Sequence, residues 1–260
     1  MVATVLAGLD APDVVLLVLA GLAAGAVNAI AGGGSLISFP ALLAVGYPSV
    51  TANVTNAVAV LPGYLGGSLA YRDELRGQRP RAIALGVTSA VGAVAGAALL
   101  IVSPASVFEA IVPFLILASC ALLAAQPALS RRMRPPAEGA EAHRSLRLHA
   151  STFATAVYGG YFGAGLGIML LAVLALNLDE DLQRLNALKG LLSLVVGAAT
   201  VAYFAVFGPV RWEAAAIMAV AAFAGGHIGV AVARRLPAGV LRGVVVGFGV
   251  VVALWLLIKP

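Results

Sequence analysis

Long apolar runs are the feature of this sequence that most limits what it can fold into. They recur from Val14 to Ile258 with only short polar interruptions. Several reach the roughly 20 residues that a helix needs to cross a bilayer. Charged residues make up 10% of the chain, whereas soluble domains contain about 25%. The sequence therefore predicts an all-α polytopic membrane protein and not a soluble enzyme.

The apolar pattern predicts about 8–10 membrane helical segments, with short broken helices among them. Glycine accompanies Ala and Ser inside these runs, and such small residues allow helices to pack closely in a membrane. The predicted segments lie near 12–31, 35–46, 51–71, 81–102, 105–126, 148–164, 167–177, 184–206, 212–233 and 238–258.

A polar stretch near the middle divides the chain into two halves of similar plan. It contains Pro135 and Pro136 together with several charged residues, a composition typical of a solvated linker. We predict a first transmembrane repeat at 1–130, a cytoplasmic linker at 131–147 and a second transmembrane repeat at 148–260.

The two halves align without a gap. A shift of 133 positions places Asn53 on Asn186 and Gly92 on Gly225, and the segment edges coincide within a few residues. This agreement indicates an internal repeat.

The distribution of arginine predicts the orientation. If the N-terminus is outside and each half makes an odd number of crossings, nearly all basic residues fall on the cytoplasmic side, as membrane proteins prefer. Only Arg211 and Lys259 then lie outside. An odd number of crossings also means that the second half enters the membrane inverted relative to the first. Paired interrupted segments in inverted halves are typical of alternating-access transporters.

Several classes of function are disfavoured by the same residues. Cys120 is the single cysteine and lies in an apolar run, so no internal disulfide and no thiol-rich metal site is expected. Basic residues lie in short gaps between apolar runs, which indicates topology and not nucleic-acid binding. No catalytic motif is present, and we expect no metal, no cofactor and no enzymatic activity.

A first candidate binding element is the glycine-rich stretch from Asn28 to Ser35. Gly33 and Gly34 can expose backbone N–H groups and let an anion approach the start of the next helix. The same glycines would equally suit a close helix crossing. Asn28 and Ser35 flank the glycines and are included in the candidate site.

A second candidate element is the pair Asn53 and Asn56, which lies on one helix face at the start of an apolar segment. The repeat matches it to Asn186 and Lys189, and it matches the first glycine element to Gly165 and Gly167. Interhelical hydrogen bonding would explain the asparagines without a ligand.

Lys189 is the most informative residue of the chain, because an ionisable group in a membrane helix costs about 3 kcal/mol on insertion scales. We expect it to face a central cavity with the three asparagines. The alternative is that its side chain reaches the nearby interface. His227, in a glycine-rich helix face, is a candidate proton relay and otherwise a structural residue.

The chain resembles the TauE/SafE family of sulfite exporters in GAVNAIAGGGSLISFPALLAVGYPSVTANVTNAVAV and in GGYFGAGLGIML with LNALKGLLSLVVG. The resemblance covers nearly the whole chain. It implies transport of sulfite, organosulfonates or other small anions across the cytoplasmic membrane. The second half departs from the pattern with Gly165-Leu166-Gly167, and Val173 stands where Pro40 aligns.

The leading hypothesis is a secondary transporter of small anions that works by alternating access at a midplane site between the repeats. A passive anion channel and a membrane-embedded enzyme are the alternatives. The expected partners are a small anionic substrate, membrane lipid and a coupling proton or sodium ion. The localisation expected for a prokaryotic chain is the bacterial cytoplasmic membrane, and the sequence leaves the oligomeric state open.

Overall fold

The structure, a computed structural model, describes residues 9–31, 33–70, 73–132, 145–233 and 238–258. These residues form an all-helical bundle, as predicted, and no strand is present among them. The helices are α1 (Ala11–Ala31), α2 (Ser35–Ala44), α3 (Ser49–Ala70), α4 (Arg79–Val102), α5 (Ala105–Arg132), α6 (Leu146–Tyr161), α7 (Leu166–Asn177), α8 (Leu182–Phe207), α9 (Trp212–Ala233) and α10 (Ala238–Ile258).

The helix ends follow local signals in the sequence. Asp181 caps α8 by accepting a hydrogen bond of 3.0 Å from the Gln183 amide, which satisfies one of the free amides of the first turn. Pro80 lies in the first turn of α4, where its missing N–H costs no hydrogen bond. Gly165 precedes α7 with φ +77°, a conformation that other residues rarely adopt.

The predicted segments match the observed helices closely, with the largest difference at the end of α5. That helix continues to Arg132, six residues beyond the predicted boundary, because Ala, Leu and Gln favour helix on both sides of Pro127. Helices therefore cover both edges of the predicted linker, and residues 133–144 of it lie outside the described part of the chain.

Four of the described helices are long and apolar enough to cross a membrane: α1 from Ala11 to Asn28, α4, α5 from Ala105 to Ala128, and α8. The short helices α2 and α7 are apolar but too short to cross, at 10 and 12 residues. Large apolar side chains such as Val87, Phe114 and Val251 are exposed on the outside of the bundle, as expected where lipid is the solvent.

Each short helix lies against the helix that precedes it. Gly34, at the start of α2, is close to Ala24 and Asn28 of α1, and Leu43 shares an apolar groove with Leu16. The chain thus turns back after α1, and α1 with α2 forms a hairpin. In the second half, α7 packs on α6, and Leu166 lies near Gly159.

Helix packing between the halves is reciprocal. The main pairs are α1 with α9, α4 with α6, α3 with α9, α4 with α8, α5 with α10 and α3 with α8. When the first five helices are exchanged for the last five, four of these pairs turn into one another, and the pairs α5–α10 and α3–α8 turn into themselves. This pattern agrees with the repeat read from the sequence, while the inversion of the second half stays a prediction.

Glycines make the two closest crossings. A methyl group added at Gly25 or Gly225 would overlap a backbone carbonyl oxygen across the α1–α9 interface. A methyl group at Gly96 or Gly160 would do the same across the α4–α6 interface. Backbones that approach this closely gain dispersion contacts that larger residues would prevent.

Candidate functional site

The first candidate element is a chain of hydrogen bonds through Gly34, at the turn of the α1–α2 hairpin. The Gly34 amide donates a hydrogen bond of 2.8 Å to Asn28 Oδ1. Ser38 Oγ contacts both the Gly34 carbonyl oxygen, at 3.2 Å, and Asn56 Oδ1 of α3. The glycines let the backbone of α2 approach α1, because a Cβ at Gly34 would overlap the Ala24 carbonyl oxygen. The network ties α1, α2 and α3 together.

Asn53 of α3 joins the first half to the second. Its Nδ2 donates a hydrogen bond of 2.9 Å to the carbonyl oxygen of Tyr161, the last residue of α6. Asn53 is 2% exposed, so this bond satisfies a polar group that would otherwise be costly to bury. Phe39 of α2 packs edge-to-face on Phe162, the next residue, with ring centroids 5.6 Å apart.

The turn between α6 and α7 is held by two hydroxyl groups. Tyr158 donates to the Ala164 carbonyl oxygen at 2.6 Å. Ser119 Oγ of α5 lies 3.0 Å from the same oxygen and 2.8 Å from both the Leu115 carbonyl oxygen and Tyr158 Oη, so its one proton is shared among these positions. Gly163 and Gly165, on either side of Ala164, have φ of +79° and +77°. The two glycines allow the sharp turn, and the hydroxyl groups fix the direction in which α7 begins.

Lys189 of α8 lies beside the first turn of α7. A Cβ at Gly167 would be 3.8 Å from Lys189 Cδ, so the lysine stem lies at van der Waals distance from this glycine position. Lys189 is partly buried. Within the described residues its ammonium group has no hydrogen bond and no ion pair. The positive end of the α7 dipole and this ammonium group are both able to attract an anion.

The structure separates the four residues that were expected to share one cavity. Val54 of α3 lies near Gly208, whereas Leu61 lies near Gly197, so α3 and α8 run antiparallel. Asn56 therefore lies beside the end of α8, whereas Lys189 lies near its start. At 1.5 Å per residue, the two levels are roughly 20 Å apart along the axis of α8. The asparagines of α3 belong to one group with Ser38 and Tyr161, and Lys189 belongs to another with Gly167.

The remaining predicted residues have less definite surroundings. Gly33 faces Leu123 of α5, which a Cβ would approach to 3.0 Å. Ser35 is buried in the first turn of α2, and Asn186 is partly buried one turn before Lys189. The side chain of His227 lies outside the described residues, so its predicted role in proton transfer stays a prediction. No cluster suited to a metal ion occurs among the described His, Cys, Asp and Glu residues.

Sequence reasoning missed three residues of these networks: Ser38, Ser119 and Tyr158. Ser38 and Tyr158 lie in or next to the glycine-rich motifs, so their position was a usable signal. Ser119 lies inside an apolar run and is 45 positions from Ala164. Only the packing of α5 against the turn reveals its role.

The described helices form an apolar bundle, and four of them are long enough to span a membrane. Two short helices begin at glycine-rich turns. These features define a multi-pass helical membrane protein. The chain belongs to the sulfite exporter TauE/SafE family, whose sequence model matches residues 17–256. Family membership makes it a membrane transporter by class.

Curated relatives are similar over most of their length. The chain is 27% identical over 241 residues to a probable membrane transporter protein, ORF9, of a Sinorhizobium species, with 91% of this chain and 89% of the relative covered. It is 29% identical over 239 residues to a probable membrane transporter protein of Haemophilus influenzae, with 87% of each covered. It is 25% identical over 213 residues to the probable membrane transporter protein YfcA of Escherichia coli, with 79% of this chain and 75% of the relative covered. No solved structure matches the chain significantly.

Proposed function

We propose that the protein is a secondary transporter of small anions such as sulfite, organosulfonates or related sulfur compounds. It works in the cytoplasmic membrane of a bacterial cell and does not alter its substrate. The family provides the class of function. The observation that carries the choice of an anion is the ammonium group of Lys189, which lies beside the first turn of α7 and has no partner in the described part of the chain.

The chemistry of this arrangement suits a small oxyanion. A lysine in a membrane helix is costly unless it is paired, hydrated or functional, and Lys189 forms no pair within the described residues. Its charge attracts one oxygen of the anion, and the positive end of the α7 dipole attracts another. The lysine stem lies beside Gly167, so the charge and the first turn of α7 are near enough to act on one small anion.

The reciprocal packing of the helices of the two halves supports alternating access. In that mechanism one half rocks against the other around the site, and the broken helices move with it. Hydrogen bonds such as the one from Asn53 to Tyr161 cross between the halves; they are the contacts that must form and break during the cycle. A proton or a sodium ion provides the driving force.

Flux into proteoliposomes tests the proposal and its alternatives. The purified chain is reconstituted and supplied with labelled sulfite, sulfoacetate or a small carboxylate, with and without a proton or sodium gradient. We expect saturable flux that a gradient accelerates. Flux that rises linearly with concentration would identify a channel, and a chemically modified product would identify an enzyme.

A further inference from the structure

A pair of arginines lies at the end of the molecule where α4 and α8 begin, and both bind one carboxylate. Glu180 uses one oxygen for each of two arginines. Its Oε1 accepts from Arg81 Nη1 at 2.9 Å, and its Oε2 accepts from Arg184 Nε at 2.7 Å. Arg81 belongs to the first half of the chain, and Arg184 to the second.

The Arg81 guanidinium is held by Gln78 as well as by Glu180. Gln78 donates to the carbonyl oxygens of Glu74, at 2.9 Å, and Arg184, at 3.2 Å. Its own oxygen accepts a hydrogen bond of 3.4 Å from Arg81 Nη1. The side chains of Arg81 and Glu180 are each 20% exposed, so the group lies in a partly closed recess.

The recess has more donors than Glu180 uses. Each guanidinium carries five N–H donors, and Arg81 Nε is buried without an acceptor among the described residues. A planar or tetrahedral oxyanion with three oxygens could accept from both arginines at once, as guanidinium groups favour. One carboxylate with two oxygens leaves part of this capacity unused.

We propose that Arg81 and Arg184 form an entry site for a small oxyanion at this mouth, and that Glu180 occupies it as an internal substitute for the substrate. This inference rests on the proposed transport of anions but concerns a site separate from Lys189. Arg184 precedes Lys189 by five residues on α8, a rise of about 7.5 Å. Lys189 is thus the next cation along α8, although the two side chains point about 140° apart around the helix axis.

Displacement of Glu180 also loosens a contact between the halves. While Glu180 binds both arginines, it connects the start of α4 with the start of α8 and closes this mouth. An oxyanion takes over the arginines and releases the α7–α8 connection that carries Glu180. Arrival of substrate and opening of the mouth are thereby coupled.

The test measures equilibrium binding of sulfite by calorimetry to the purified full-length chain. All variants carry Lys189→Gln, so that the site at Lys189 does not contribute. Glu180→Gln removes the internal competitor. If Glu180 leaves the site free about one-fifth of the time, the apparent Kd for sulfite should fall about fivefold in this variant. Arg81→Gln is expected to abolish the binding.

Matched controls separate the recess from general charge. Asp181→Asn removes the neighbouring carboxylate, which caps α8 and touches neither arginine in the contacts above. Arg76→Gln removes an arginine of an exposed ion pair with Asp73. Neither is expected to change sulfite binding, and size-exclusion profiles show whether each variant remains folded.

The inference is overturned if Glu180→Gln binds sulfite no more tightly than Asp181→Asn, or if Arg81→Gln binds as well as Arg76→Gln. Failure of the proposed function has a different signature. In that case the chain with Lys189 intact shows no sulfite flux, whatever the recess binds.

Discussion

The stem of Lys189 lies against Gly167, so that a lysine of α8 and a glycine in the first turn of α7 share one small space. The repeat places Asn56 and Gly34 at the matching positions of the first half, where Ser38 links them by hydrogen bonds. Leu171 stands where the repeat would place a second Ser38. The first half thus uses these polar groups on each other, and the second half keeps a cation that no other described residue pairs with.

Lys189→Gln is the direct test of that cation. A hydrogen bond to a charged group is worth about 1.5–3 kcal/mol, so loss of the charge should weaken anion affinity about tenfold to a hundredfold. Membrane insertion should not suffer, because the variant lacks an insertion penalty. Substrate-dependent flux in proteoliposomes measures the affinity and the rate.

Lys189→Arg is the matched control, since it keeps the charge but changes the shape of the cation. It should retain part of the affinity that Lys189→Gln loses. Unchanged affinity and rate in Lys189→Gln would mean that Lys189 only anchors α8 at the interface, and the site beside α7 would have to be abandoned.

The glycine crossings predict a steric effect on stability. Gly25→Ala places a methyl group on the carbonyl oxygen of Ala222, and overpacking of this kind costs about 1–3 kcal/mol. Thermal unfolding in detergent should show a lowered midpoint. Gly63→Ala is the control, because no atom lies within 4 Å of its added methyl group; an equal loss in both variants would contradict the packing described.

Ser119 and Tyr158 predict a coupled pair. Tyr158 donates to the Ala164 carbonyl oxygen, Ser119 Oγ lies 3.0 Å from the same oxygen, and the two hydroxyl oxygens are 2.8 Å apart. Ser119→Ala or Tyr158→Phe alone should cost about 0.5–1.5 kcal/mol, the usual net value of one hydrogen bond. Because the second donor remains in each single variant, the double variant should lose more than the sum.

A double-mutant cycle, with free energies of unfolding from denaturant titration, measures this coupling. Strict additivity of the two losses would mean that the hydroxyl groups act independently. The turn before α7 would then not depend on their shared acceptor.

The orientation of the chain is open to labelling. Burial raises the pKa of Tyr47, and Arg211, Glu213 and Asp13 also act on this phenol, so the α2–α3 and α8–α9 connections and the start of α1 share one end of the molecule. Gln78, Arg81, Glu180 and Arg184 share the other end. The excess of arginine predicts that the second end is cytoplasmic.

Single cysteines in a Cys120→Ala background, treated on intact cells with a membrane-impermeant reagent, provide the measurement. Pro209→Cys should be labelled from outside, whereas Arg79→Cys should react only after the cells are opened. Both positions are exposed. The reverse pattern would reject the orientation and the argument for an inverted second half.

The candidate site was only partly predictable. The sequence predicted that Asn28 and the following glycines belong to one element, and Asn28 does bind the Gly34 amide. It also predicted that Asn53, Asn56, Asn186 and Lys189 would meet. The antiparallel packing of α3 and α8 divides them, because equivalent positions on antiparallel helices lie on opposite sides of the crossing.

The helical architecture follows from the sequence alone. Every backbone polar group in a bilayer must be satisfied within its own segment, so a long apolar run becomes a helix wherever glycine, proline or a polar cap does not end it. These signals are local, and the observed ends of α2 and α7 agree with the predicted breaks.

Which helices pack together and which side chains are in contact depends on the tertiary structure. Asn53 and Tyr161 are 108 positions apart in the chain, and Arg81 and Glu180 are 99 apart. In lipid, apolar surface does not choose between neighbouring helices. The choice depends on close glycine contacts and on a few hydrogen bonds whose partners become known only once the helices are packed.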